Sequence, residues 1–460
     1  MIPEPSASDQ RFAAFRHSAF LRYWLARFLA TFSTQIVSVA VGWQIYDLTR
    51  DPLDLGLVGI IQFAPSLLLV LVTGAAADRF GRRLIMALAA TIEALCALAL
   101  LALTLHGLAG PAPVFIVLAV FGMARAFFSP ASASLVANLV PPEEFANAVA
   151  WNSTAWQTAT IVGPVAGGLL YGISAEAAYG LAAALMLGSA LLTISIPPPA
   201  TRSETQKATL GAMFAGFRYI WSEKIVLGAI SLDLFAVLLG GAYALMPIYA
   251  RDILDLGPWG LGLLRAAPGV GALGVAVWLA GHPIRDRAGV VMFVFVALFG
   301  VATIVFGLST TAWLSIVALA GLGAADMVSV YVRETLIQLW TPDAVRGRVN
   351  AVNMVFVGAS NEVGEFRAGM MAALIGTVPA VVIGGVGAVA VAGLWAWLFP
   401  QLRLGAIYGL SLAAVAALVV VQHRLVRPDD LGRVNLAFFH VNAVISFGLS
   451  LATAVDAYLG

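Results

Sequence analysis

Gly74-Ala75-Ala76-Ala77-Asp78-Arg79-Phe80-Gly81-Arg82-Arg83 is a short cationic turn between two long apolar stretches. About fourteen such stretches fill the chain, each near the roughly 20 residues that cross a hydrocarbon core of about 30 Å. Only 11% of the residues are charged, against about 25% in soluble domains. Hydrophobic residues make up 61%, and the mean hydropathy is +0.94. A backbone in lipid must satisfy its hydrogen bonds within its own segment, so the expected fold class is an all-α polytopic membrane protein. The single cysteine, Cys96, lies in an apolar run and excludes both a disulfide framework and a cysteine metal site. No metal and no cofactor are expected. The polar, arginine-containing residues 1–22 have no short apolar region ending in a cleavage site, so they do not read as a removable signal. A net charge of +1 gives nucleic acid nothing to hold.

Hydropathy places spans near 23–46, 55–77, 84–106, 113–136, 146–172 and 177–196. A second set falls near 225–250, 257–280, 290–308, 312–334, 350–376 and 378–399. Two further apolar runs follow, near 404–422 and 437–459. Arginine and lysine concentrate on alternate loops: Arg11, Arg16 and Arg22; Arg79, Arg82 and Arg83; Arg202, Lys207, Arg218 and Lys224; Arg285 and Arg287; Arg346 and Arg348; and Arg403. The opposite loops carry chiefly Arg50 and Arg251, each beside an aspartate. That bias puts the N-terminus, the central loop and the end of the twelfth span in the cytoplasm.

The expected organisation is a cytoplasmic N-terminus (1–22), one six-helix half (23–196), a linker (197–224), a second six-helix half (225–403) and an appended tail (404–460). The linker opens with Pro197-Pro198-Pro199. It then places Leu210, Met213, Phe214, Phe217 and Ile220 at helical spacing, as in an interfacial amphipathic helix. An internal repeat supports the division: Asp78-Arg79-Phe80-Gly81 is echoed by Asp286-Arg287-Ala288-Gly289, and Leu139-Val140-Pro141-Pro142-Glu143 by Leu339-Trp340-Thr341-Pro342-Asp343. Repeated halves around a midplane site are a transporter architecture in which one half rocks against the other.

Six plus six spans with Gly74-x-x-x-Asp78-Arg79-x-Gly81-x-Arg83 resemble the major facilitator superfamily. The resemblance implies a conformational latch made of Gly74, Asp78, Arg79, Gly81, Arg82 and Arg83, favouring an outward-facing state. Gly163-Pro164-Val165-Ala166-Gly167-Gly168 resembles the superfamily's exporter motif. There Pro164 removes a helix hydrogen bond and Gly163, Gly167 and Gly168 let a neighbouring backbone approach. Trp156, Thr158 and Thr160 stand where the full motif has glycines. The phrases 22–28, 231–241 and 361–369 are similar to the branch that holds the bacterial enterobactin exporter and related drug-efflux proteins. The resemblance, from about Phe20 to Arg403, implies proton-driven export of a small, partly apolar molecule across the bacterial inner membrane, by a monomer that is not an enzyme.

Cost singles out residues independently. An ionisable group at bilayer centre costs roughly 2.5–3.5 kcal/mol on insertion scales and is a functional candidate by default. The candidates are Arg27, Glu93, Arg125, Asp233, Arg265, Asp326, Glu362, Glu365 and Arg367. Arg125, Asp233, Asp326, Glu362, Glu365 and Arg367 are the residues favoured for proton or substrate handling. Glu362 and Glu365, three residues apart, share a helix face and resist ionising together. A buried ion-pair network with only a packing role is the alternative. Trp43, Trp151, Trp156 and Phe235 are candidates to line a cavity, although most such aromatics anchor helices at the interface.

The stretch Leu404 to Gly460 departs from this pattern. Gln422 to Leu431 and Ala437 to Phe447 resemble the C-terminal end of the 4-hydroxybenzoate polyprenyltransferases, but the paired aspartate motifs that would bind magnesium diphosphate are missing. A fusion junction near Arg403 accounts for this. Besides the exporter, an inactive fusion product and a prenyltransferase-related membrane protein stay open as readings.

Overall fold

The computed structural model describes residues 11–198, 210–284 and 287–403. The polar part of the linker, Arg285, Asp286 and the appended tail lie outside the described residues. Six helices come first: α1 (Ser18–Thr49), α2 (Pro52–Phe80), α3 (Arg82–His106), α4 (Ala112–Leu135), α5 (Phe145–Ile173) and α6 (Ala175–Ser195). The short helix α7 (Leu210–Ser222) precedes the second set and packs on it at the Arg348 backbone. That set comprises α8 (Lys224–Gly240), α9 (Gly257–Gly281), α10 (Ala288–Leu308), α11 (Ala312–Trp340), α12 (Asp343–Ile375) and α13 (Thr377–Leu398).

Packing repeats between the two sets. α1 lies on α5 and α6, α2 on α4, and α3 on α4 and α6. Correspondingly α8 lies on α12 and α13, α9 on α11, and α10 on α11 and α13. Two seams join the sets, α2 with α12 and α5 with α9. The result is the six-plus-six bundle. Among the described residues, 10 helices are long and apolar enough to cross a membrane. The two long helices that fail that test are α5 and α12, which hold equivalent places and carry polar residues such as Asn152, Gln157, Asn353 and Glu362.

The seams close because glycines remove side chains from the contact. A Cβ on Gly168 would stand 2.5 Å from the Pro258 carbonyl oxygen, and one on Gly262 2.6 Å from that of Pro164. The α5–α9 seam is therefore backbone against backbone. The α2–α12 seam follows the same rule, since a Cβ on Gly369 would lie 2.7 Å from the Pro52 carbonyl oxygen.

One span differs from the hydropathy reading. α8 stops at Gly240, and the chain continues through a 3-10 turn (Tyr243–Leu245), one turn of α-helix (Met246–Ile248) and a π turn (Tyr249–Ile253). Gly240-Gly241 gives up the stiffness of a helix interior, and Pro247 lacks an amide donor. Hydropathy registers neither.

The turn that opens the sequence reading is made by Gly81, whose φ of 89° lies where side chains are strained. Arg82 Nη1 then donates to the Ser134 carbonyl at 2.9 Å, Arg83 Nη1 to Ile196 at 2.5 Å, and Arg22 Nη1 to Ser195 at 2.5 Å. Ser134 and Ser195 lie in the last turns of α4 and α6, whose carbonyls have no intrahelical donors, and Ile196 is the residue that ends α6. The arginines also sit at the negative end of each helix dipole. Gly74 and Asp78 lie in the last turns of α2, and the contacts of their side-chain positions lie outside the described ones.

The seam yields a controlled pair of substitutions. Gly168→Ala should lower the thermal unfolding temperature in detergent by several degrees, because a methyl meets the Pro258 carbonyl. Gly172→Ala, one turn further along α5 with nothing within 4 Å of its Cβ, should leave it unchanged or raise it slightly. Equal effects of the two would show that the seam tolerates side chains.

Candidate functional site

At the turn joining α1 and α2, the end of the bundle is sealed by charges from both sets. Arg50 closes α1 in the left-handed conformation, and Asp51 accepts from the Leu53 amide at 2.8 Å to start α2 at Pro52. The tight turn holds Asp47 against Arg251, and Tyr46 donates to Asp252. Arg50 reaches Asp252 at 3.1 Å and Asp47 at 3.8 Å. Arg251 also lies over the Trp43 ring, 5.3 Å from its centroid. The charged side chains here remain a quarter to a half exposed. Each pair is therefore worth only up to about 1 kcal/mol, so the seal is specific but reversible.

Deeper in the bundle, Glu362 and Glu365 of α12 converge on Gly59 of α2. A Cβ there would stand 2.6 Å from Glu362 Oε2 and 3.6 Å from Glu365 Oε2. The sequence pair thus lies on the α2–α12 seam. Among the described residues neither carboxylate makes a hydrogen bond or ion pair. Arg265 of α9 lies within electrostatic reach of both and of Tyr243. Its Nη1 donates to Ser38 Oγ of α1 at 2.5 Å. Arg125 of α4 is exposed within the bundle and within electrostatic reach of Glu362 and of the buried Glu93 of α3.

A third polar group lies inside the second set. Asp233 of α8 is paired with Arg333 of α11, and the two are 7% and 4% exposed, so this pair is fully desolvated. Breaking one side of such a pair is strongly destabilising. Asp233, Asp326 and Ser329 line a small cavity together with Ala236, Val237, Val296 and Phe299.

Arg367 does not join the carboxylates. Its Nε donates to the Leu238 carbonyl at 2.9 Å, its Nη2 to that of Leu239, and its Nη1 contacts Met371 Sδ at 2.8 Å. It caps the broken end of α8. Among the described residues Arg27 donates only to Tyr23, at 3.4 Å on its own helix. Trp151 packs against Phe12 and Phe15 and donates to the Arg11 carbonyl. Phe235 leans on Trp395. Trp156 is half exposed. Gly163 packs on Gln35 of α1, whereas Pro164 and Gly168 meet α9. Gly167 also packs on α1, against Ile36.

Arg333, Ser38, Tyr243 and Gly59 escape the sequence reading. Arg333 stands near the end of its apolar window, where a cation reads as an interface anchor. The others are neutral residues whose importance comes from what crosses the seam toward them.

A membrane bundle of two packed six-helix sets, with charged groups where they meet, is an architecture of membrane transporters. The profile of the Major Facilitator Superfamily matches residues 23–364, and the chain belongs to that family. It is similar to the enterobactin exporter EntS of Citrobacter koseri, 28% identical over 371 residues that cover 80% of this chain and 86% of the relative. EntS of Escherichia coli O1:K1 matches to the same extent. Among solved structures, an inward-facing, unoccupied bacterial homolog of the human lysosomal transporter Spinster superposes with a TM-score of 0.68 at 15% identity. That alignment covers 86% of this chain and 99% of the other. A D-xylose-proton symporter gives 0.64 at 16% identity, over 83% and 97%. The chain is therefore a multi-pass membrane transporter of the family.

The cap on α8 has a measurable consequence. Arg367→Met should destabilise the protein by about 2 kcal/mol or more, because two carbonyls lose their donors in an apolar setting. Glu365→Gln should leave stability nearly unchanged, since Arg367 does not depend on it. Thermal denaturation of both variants in detergent checks this; comparable losses would place Arg367 in the carboxylate network.

Proposed function

We propose that this transporter exports small, partly apolar molecules across the bacterial inner membrane by proton antiport, alternating access between its two sides. The observation that carries the reading is the pair Glu362 and Glu365, without direct partners on a seam between the two halves and facing the bare backbone of Gly59. A carboxylate on the surface along which the halves move takes a proton from one side and releases it to the other. The likeness to proteins named as enterobactin exporters supports the outward direction.

In the proposed orientation the N-terminus is cytoplasmic, as the arginine bias suggests. The cluster of Asp47, Arg50, Arg251 and Asp252 is then an outer gate, closed here. The loop of Gly74, Asp78, Arg79, Gly81, Arg82 and Arg83 stands at the cytoplasmic end as the opposing latch. Asp233 and Asp326 are second candidates for the proton. The halves 23–196 and 225–403 are the moving bodies, the protein works as a monomer, and transport resides before Arg403.

In proteoliposomes with an imposed pH gradient, Glu362→Gln and Glu365→Gln should each flatten the pH dependence of efflux, because an amide carries no proton. If the single variants and the double variant keep the parental pH profile, the proton site lies elsewhere.

The gate is tested separately. Arg251→Gln leaves Asp47 and Asp252 facing one another with less neutralising charge, so this end should open. In a Cys96→Ser background, spin labels at positions 51 and 255 should move apart, and raising the salt concentration should push the parent protein the same way. Unchanged label distances would show that the cluster does not hold the closed state.

A further inference from the structure

We propose that Arg265 recognises an anionic oxygen on the transported molecule, and that this molecule also carries a hydrogen-bond donor that reaches Glu362 or Glu365. The inference rests on the export reading and assigns the chemical class of its substrate: a carboxylate or phenolate with a donor nearby.

A guanidinium stays protonated in a protein, and a buried charge is expensive unless it is paired and hydrogen-bonded. Two other arginines inside the second half find acceptors of charge or lone pairs: Arg333 is ion-paired with Asp233, although its Nε and Nη1 make no hydrogen bond, and Arg367 gives its donors to two carbonyls. Arg265 differs in having, among the described residues, neither an ion pair nor a carbonyl acceptor. Its Nη1 meets only a neutral hydroxyl, Ser38 Oγ, and its Nε is buried without any partner. Its Nη2 passes α1 at Gly42, where a Cβ would stand 3.3 Å away, so the glycine makes room for the guanidinium to cross between the halves. Glu365 and Glu362 face it from α12 and Tyr243 from the broken segment after α8, all within electrostatic range. No ion pair within 4.0 Å joins Arg265 to either carboxylate. Arg125 faces Glu362 from α4.

The arrangement is a positive charge with an unused donor on one side and two unpaired carboxylates on the other. A guest oxygen bearing negative charge completes the hydrogen bonding of the guanidinium with charge-assisted bonds. A donor on the same guest then lies against the carboxylates and competes there with the proton. A cationic guest would be attracted by the carboxylates but would leave the Nε–H of Arg265 unanswered and meet its charge.

The test is equilibrium binding to purified full-length protein in detergent, using carboxyfluorescein as the anionic probe and tetramethylrhodamine ethyl ester as a cationic xanthene of similar size. Arg265→Gln should weaken carboxyfluorescein binding by about tenfold or more while changing the cationic dye by less than about twofold. Arg265→Lys should lose less. Ser38→Ala, which frees one nitrogen without removing the charge, should shift the anionic dye by only a few-fold, and it serves if Arg265→Gln does not fold. A parent protein that fails to bind carboxyfluorescein overturns the inference, as does an Arg265→Gln loss that is equal for both dyes or absent for both. If the selectivity holds but a pH gradient drives no efflux of carboxyfluorescein from proteoliposomes, the anion site stands and proton-coupled export is what fails.

Discussion

The carbonyl oxygens of Leu238 and Leu239 end a helix inside an apolar bundle, and the guanidinium of Arg367 is what makes that ending tolerable. Without water or a donor, such groups cost several kcal/mol each in lipid. Once they are satisfied, the chain is free to turn at Gly240-Gly241. That turn carries Tyr243 toward Arg265 and brings Arg251 and Asp252 over the first helix pair. Gly364 of α12 completes the fit, since a Cβ there would press within 2.9 Å of the Val237 carbonyl oxygen. The central site and the sealed end both follow from one capped helix terminus.

The two sets of helices share a packing scheme but contribute unequally to the charged site. The second contributes the carboxylates of α12, the Asp233–Arg333 pair, Asp326 and Arg265. The first contributes surfaces that accommodate them, Gly59 under the carboxylates, Gly42 beside the guanidinium and Ser38 at its tip, together with Arg125 within electrostatic reach of Glu362. Movement of one set over the other therefore changes both the surfaces that the carboxylates face and their distance from Arg125. That is the property a carrier needs if one site is to present different affinities to its two faces.

Much of this was legible in the residues. Charge alternation, the turn around Asp78 to Arg83 and the six-plus-six repeat gave the bundle, and Glu362 with Glu365 could be placed on one face from their spacing alone. The glycines around Pro164 announced a close approach, though not that Gly168 would meet Gly262 across a seam while Gly163 and Gly167 meet α1. What could not be read was pairing at long range. Arg367 and Glu365 are sequence neighbours with opposite charge, yet Arg367 spends its donors on carbonyls 128 and 129 residues away. Carbonyls are present at every position, so composition cannot reveal which ones lack a partner. The break in α8 was hidden for a related reason: hydropathy averages side chains, whereas the break is a property of backbone at two glycines.

Arg22, Arg82 and Arg83 hold the last carbonyls of α4 and α6, although a cation beside a span is usually regarded only as an address label for insertion. Here the label is also a fastener. Neutralising one of these arginines would therefore remove a hydrogen bond from a helix end as well as a charge that biases orientation.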